Sequence, residues 1–149
     1  MLIRRIALVL TLALGSAQAA NAQDGALALN RKAMQQEFNN LAHEHLICAA
    51  YANIVAVCMI QKNGEKDPTG QRYQEVSGAL MERGFRIGEV AGVSFNASKA
   101  RFEMANQEMM EKTEKNCSNI SILMQEHMDA CVTLYKEGPD RLRAITSGK

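Results

Sequence analysis

Beyond the first two dozen residues, the apolar positions of this chain recur in steps of three and four. Met34, Phe38, Leu41, His45, Cys48, Ala52 and Val55 share one face of a helix. Over 46–60 (LICAAYANIVAVCMI) the apolar character wraps nearly all round, interrupted at Asn53. A helix apolar on every side is covered by neighbours on several sides, so 27–61 is expected to be the central helix. The polar run 61–67 (QKNGEKD) ends it, and Asp67-Pro68 supplies a side-chain acceptor at the N-cap and a fixed φ at the first helical position. A second helix over 68–91 then carries Tyr73, Val76, Leu80, Gly84, Ile87 and Ala91 inward. Ser94 is expected to cap a third helix over 95–115, with Phe95, Phe102, Met109 and Thr113 inward and a charged outer face. Asn116-Cys117-Ser118-Asn119 has the composition of a break, with Ser118 as the cap of a fourth helix over 119–137. Ile120, Met124, His127, Cys131 and Leu134 form the inward stripe of that helix. Gly138-Pro139 is expected to stop it, leaving 140–149 as a frayed tail.

No stretch alternates apolar and polar residues as a half-buried strand does. The chain is therefore expected to be all-α, an antiparallel bundle of about four helices forming one domain over 23–149. One long helix through 116–119 is the alternative at the weakest boundary. The first helix exceeds its partners, so 27–42 either projects towards another chain or is covered by the tail.

The N-terminus follows a different logic. Arg4 and Arg5 precede the apolar run 6–14 (IALVLTLAL), and small-residue cleavage signals follow at Ala17-Gln18-Ala19 and Ala20-Asn21-Ala22. This is the layout of a secretory signal peptide over 1–22, cleaved after Ala22 or alternatively Ala19. The run is too short for a hydrocarbon core that takes roughly 20 residues to cross. After cleavage no stable membrane span is expected, and the protein is placed in the periplasm or outside the cell. Losing two arginines turns the formal charge from +1 to slightly negative. Near-neutrality argues against a nucleic-acid partner, which requires a basic excess.

Export gives the four cysteines their meaning. Cys48, Cys58, Cys117 and Cys131 are even in number, lie after the signal, and lack the Cys-x-x-Cys spacing of zinc or redox motifs. On one helix Cys48 and Cys58 stand about 15 Å apart at about 1.5 Å per residue. A disulfide needs Cα atoms within about 7 Å, so both bridges must join the first helix to the fourth. Antiparallel neighbours select Cys48–Cys131 and Cys58–Cys117. A continuous helix running parallel to the first would select Cys48–Cys117 and Cys58–Cys131.

Candidate chemistry is sparse. Gly84, Gly88 and Gly92 recur every four residues, a pattern that admits a close neighbouring backbone or forms a smooth groove, with Arg83 and Arg86 beside it. Met124, His127 and Met128 on adjacent turns offer thioether and imidazole donors suited to copper, and His127 with a methionine offers an axial pair for haem. The same positions serve a core equally well, methionine being an adaptable filler. No His-Glu-x-x-His, phosphate-binding glycine loop or Gly-x-Ser-x-Gly is present, and no inward carboxylate pair points to acid–base chemistry. The expectation is a disulfide-braced exported protein without a resident cofactor that binds rather than catalyses. Its partner would be a small ligand, another envelope or secreted protein, or a second copy. Inhibitor, immunity-type and envelope accessory roles all fit. Copper handling is the alternative.

Overall fold

The computed structural model describes residues 10–147, and it is all-helical. Met1–Val9 of the expected signal peptide lies outside the described residues. Four α-helices follow in order, α1 (Leu10–Asn63), α2 (Pro68–Val90), α3 (Phe95–Lys112) and α4 (Ile120–Ser147), with one 3-10 turn at Cys117–Asn119. The chain divides into two compact units at Met34/Gln35, and the bundle described below is the second.

From Phe38 to Cys58, α1 is the core. Leu41, Leu46, Ala49, Ala50 and Val55 are fully buried, and around them pack Leu80 of α2, Met109 of α3 and Leu123 of α4. Over Leu29–Asn63 this helix has the length and apolarity of a membrane span, yet most of its apolar window is buried inside the bundle, as in a central core helix. Two disulfides join α1 to the antiparallel fourth segment: Cys48–Cys131 to α4 and Cys58–Cys117 to the 3-10 turn, with Cα separations of 5.3 and 5.2 Å. This is the pairing expected of antiparallel neighbours.

Caps and turns set the boundaries. Asp67 Oδ2 accepts from Gly70 N–H at 2.6 Å with Pro68 at the first position, and Ser94 Oγ accepts from Ala97 N–H at 3.2 Å. At the end of α2, Gly92 takes φ +78°, and Val93 N–H bonds back to Gly88 O at 2.8 Å, a Schellman closure that favours glycine there. The same closure ends α3 at Lys112, three residues before the expected boundary. Here Glu114 and Lys115 occupy the left-handed region at φ 53° and 54°, a conformation that costs L-residues roughly 1–2 kcal/mol each. The break between α3 and α4 is therefore real. Asn116 caps the 3-10 turn that leads into α4, its side chain accepting from Ser118 N–H at 3.0 Å, and Ser118, expected as the cap of α4, lies inside that turn.

Two further expectations are corrected. Phe95 does not point inward: it is 64% exposed and stacks on Phe85 with ring centroids 5.0 Å apart, while Ser98, Ala105 and Met109 hold the inner face of α3. Nor does Gly138-Pro139 end the last helix, which runs on to Ser147, so 140–147 is not a frayed tail. Proline lacks the N–H that would bond to the carbonyl four residues earlier. That carbonyl, Tyr135 O, instead accepts from Arg83 Nη1 at 3.3 Å, a donor brought from α2. Beyond the proline, Leu142 and Ile145 pack against the core, and Arg141 forms a forked pair with Glu44 at 2.5 and 3.2 Å.

Candidate binding cleft

The chain has three tyrosines, on three different helices, and all three line one cleft. Its floor is α1 at Cys48, Tyr51 and Ala52, with the Cys48–Cys131 bridge crossing it. One wall is α2, through Tyr73, Val76 and Leu80. The other is α4, through Val132 and Tyr135. Arg72 and Glu75 from α2 and Lys136 from α4 stand at the mouth. The volume is about 360 Å³, at the small end of the range for ligand pockets.

Helical spacing explains why these side chains meet. Tyr73, Val76 and Leu80 follow three- and four-residue steps, as do Cys131 or Val132 and Tyr135. Tyr51 follows Cys48 by three and Tyr135 follows Cys131 by four, so each lies about one turn from the same bridge. Tyr51 meets Tyr73 edge-on at 6.3 Å and His127 at 5.9 Å. The Tyr51 hydroxyl is buried and has no hydrogen-bond partner among the described residues. Burial, with Tyr73 nearby, pushes this phenol above the usual tyrosine range.

Arg83, expected beside a glycine groove, instead works on the α4 wall. Its guanidinium lies 5.3 Å over the Tyr135 ring while donating to Tyr135 O. Arg86 is held on the surface by Glu82 at 2.5 Å. The glycine row itself is filled. A Cβ on Gly84 would stand 2.9 Å from Leu46 Cγ, and one on Gly88 would stand 2.9 Å from Ser98 Oγ. Gly92 forms the turn already described. These glycines seat α2 against α1 and α3, so they leave no groove between them.

The methionine–histidine set divides among three environments. Met124 packs against the core, His127 lies against Tyr51 with its buried Nε2 3.8 Å from Glu126 Oε2 and without a hydrogen bond, and Met128 is exposed. Burial holds the His127 pKa below its usual value, with Glu126 opposing and Lys112 assisting the shift. Among the described residues no three His, Cys, Asp or Glu side chains are grouped to hold a metal ion.

His45 is the other buried imidazole. Its Nδ1 lies 2.8 Å from Leu41 O, and since a carbonyl can only accept, Nδ1 carries the proton. Nε2 has no partner and faces Gly138, where a Cβ would stand 3.0 Å away. Burial lowers the His45 pKa, the Leu41 bond and Glu44 oppose this, and Arg83 and Arg141 add to it. Both depressed histidines make the folded state bind fewer protons than the unfolded chain below about pH 6.5. Stability is therefore fully present above that value and falls as pH drops through the folded pKa values. The slope is at most about 1.4 kcal/mol per pH unit for each histidine. Denaturant midpoints measured between pH 7.5 and 5 are expected to fall, and His45→Gln is expected to flatten that fall. An unchanged slope in the variant would remove His45 from the account.

Comparison with known proteins yields no matching family model, no matching curated protein and no matching solved structure.

Proposed function

We propose that this is an exported protein that binds a small molecule in the tyrosine cleft between α2 and α4, rather than a catalyst. The observation that carries this reading is the convergence of all three tyrosines on a volume floored by a disulfide. Ligand sites are concave, mostly apolar and carry a few placed polar groups. Here the floor on α1 and the α4 wall are joined by a disulfide, so their spacing is set before a ligand arrives and less ordering entropy is lost on binding. Two disulfides suit an oxidising compartment, consistent with the signal-like 1–22 segment. Copper handling is less well supported, because Met124 and Met128 are divided between core and surface.

The reading is tested by thermal melts of the oxidised protein against a panel of one- and two-ring aromatic compounds. Binders are expected to raise the midpoint, and Val132→Trp, which fills the cleft from a half-exposed position, is expected to abolish the shift. A shift that survives Val132→Trp would place the binding elsewhere. Mass spectrometry of protein collected outside the cytoplasm is expected to show Gln23 as the first residue.

A further inference from the structure

We propose that the occupant of this cleft is a planar aromatic anion, its rings between Tyr73 and Tyr135 on the Cys48–Cys131 bridge and its carboxylate or sulfonate at the Arg72–Lys136 mouth. The inference rests on the binding reading above and specifies its ligand. Its basis is the balance of groups around the cleft. Two cations stand at the mouth on opposite helices, against one carboxylate, Glu75, and none of the three is in an ion pair among the described residues. Arg83, over the Tyr135 ring and bonded to the backbone beneath it, adds a third positive charge behind the α4 wall.

Shape points the same way. Tyr73, Tyr135, Val76 and Val132 line the walls with aromatic and aliphatic groups, and a volume of about 360 Å³ accommodates one or two fused rings. Arg72 lines the cleft from α2 and Lys136 from α4, so an anion between them would draw charge-assisted hydrogen bonds from two helices. A cationic guest would meet like charge from both walls, with Glu75 alone to offset it. A neutral guest would use the rings but not the mouth.

Three ligands of one shape separate these cases: 2-naphthoate, 2-naphthamide and 2-naphthylmethylammonium, titrated calorimetrically into the oxidised full chain at low and moderate salt. The naphthoate is expected to bind at least tenfold tighter than the other two, and more weakly as salt rises. In the double variant Arg72→Gln, Lys136→Gln, that preference is expected to disappear. Both side chains are exposed, and an unchanged thermal midpoint confirms that the variant is folded. Equal affinity for all three ligands, or a preference that persists in the double variant, overturns the anion assignment and leaves the cleft as a binding site. Failure of all three to bind the wild type overturns the cleft reading with it.

Discussion

Reduction of the two disulfides is expected to unfold the bundle at temperatures where the oxidised protein is stable. Cys48–Cys131 spans 83 residues and Cys58–Cys117 spans 59, the second nested inside the first. Nesting decides the size of each effect. With the inner bridge intact, the outer one closes a ring of only about 25 residues, which the chain-entropy relation values at about 3.5 kcal/mol. The same ring is lost when the inner bridge is removed first. The remaining bridge then closes its whole loop, worth about 4 kcal/mol, so the pair together contributes roughly 8 kcal/mol. That is comparable with the whole stability of an ordinary domain, about 5–15 kcal/mol. Each double alanine variant, Cys48→Ala with Cys131→Ala or Cys58→Ala with Cys117→Ala, is expected to lower the thermal midpoint by about 12 °C. Reductant applied to the wild type is expected to exceed the sum of these two shifts. A midpoint unmoved by reductant would contradict the account, and mass mapping of the non-reduced protein supplies the control for pairing.

The second large effect concerns the seat of α2 on α1. Leu46 is fully buried, and a Cβ on Gly84 would stand 2.9 Å from its Cγ and Cδ2 and 3.3 Å from Ala42 O. Leu46→Ala leaves a cavity and is expected to cost about 3 kcal/mol. Gly84→Ala gains about 1 kcal/mol of helix propensity. Against that gain stands a clash costing about 1–3 kcal/mol, for a net loss of up to about 2 kcal/mol. Once Leu46 is truncated, the new methyl has room and takes up part of the cavity. The double variant is therefore expected to be at least about 1 kcal/mol more stable than the sum of the singles predicts. Denaturant midpoints of the four proteins measure this directly, and additivity would show that the two positions do not share a contact.

The buried face of α1 from Phe38 to Val55, the inward positions of α2, the Asp67-Pro68 start and the disulfide pairing were all legible in the sequence, whereas Met34, expected on the same face of α1, is exposed. The pairing followed because 1.5 Å per helical residue forbids Cys48 from reaching Cys58, leaving only the direction of the fourth helix open. The cleft was not. Its tyrosines stand at 51, 73 and 135, each on its own helix, and nothing in their spacing along the chain brings them together. One signal was available once the bridge was inferred, since Tyr51 and Tyr135 lie within a turn of Cys48 and Cys131. Tyr73 had no such tether, because its position depends on how deeply Gly84 and Gly88 let α2 settle. The glycine row read as a candidate groove for the same reason: the pattern permits close approach without saying what approaches.

Local chemistry also misled at Gly138-Pro139, where two strong helix breakers stand inside α4. Their costs are met from distant residues. Arg83 supplies the donor that proline lacks, and Glu44 holds Arg141. Gly138 has no Cβ to collide with His45. What the sequence by itself determined is the set of quantities that depend on near neighbours: helix faces, caps, the helical class, and which cysteines lie too far apart along one helix to join. What only the tertiary structure decided is whatever two helices must settle jointly. That includes the depth at which α2 seats on α1, the survival of α4 past its proline, and the meeting of three tyrosines over one disulfide. The physical reason is that a period of 3.6 residues specifies which side of a helix is buried. It leaves the height and rotation of one helix against the next to side-chain volumes and stray hydrogen-bond donors contributed from the rest of the chain.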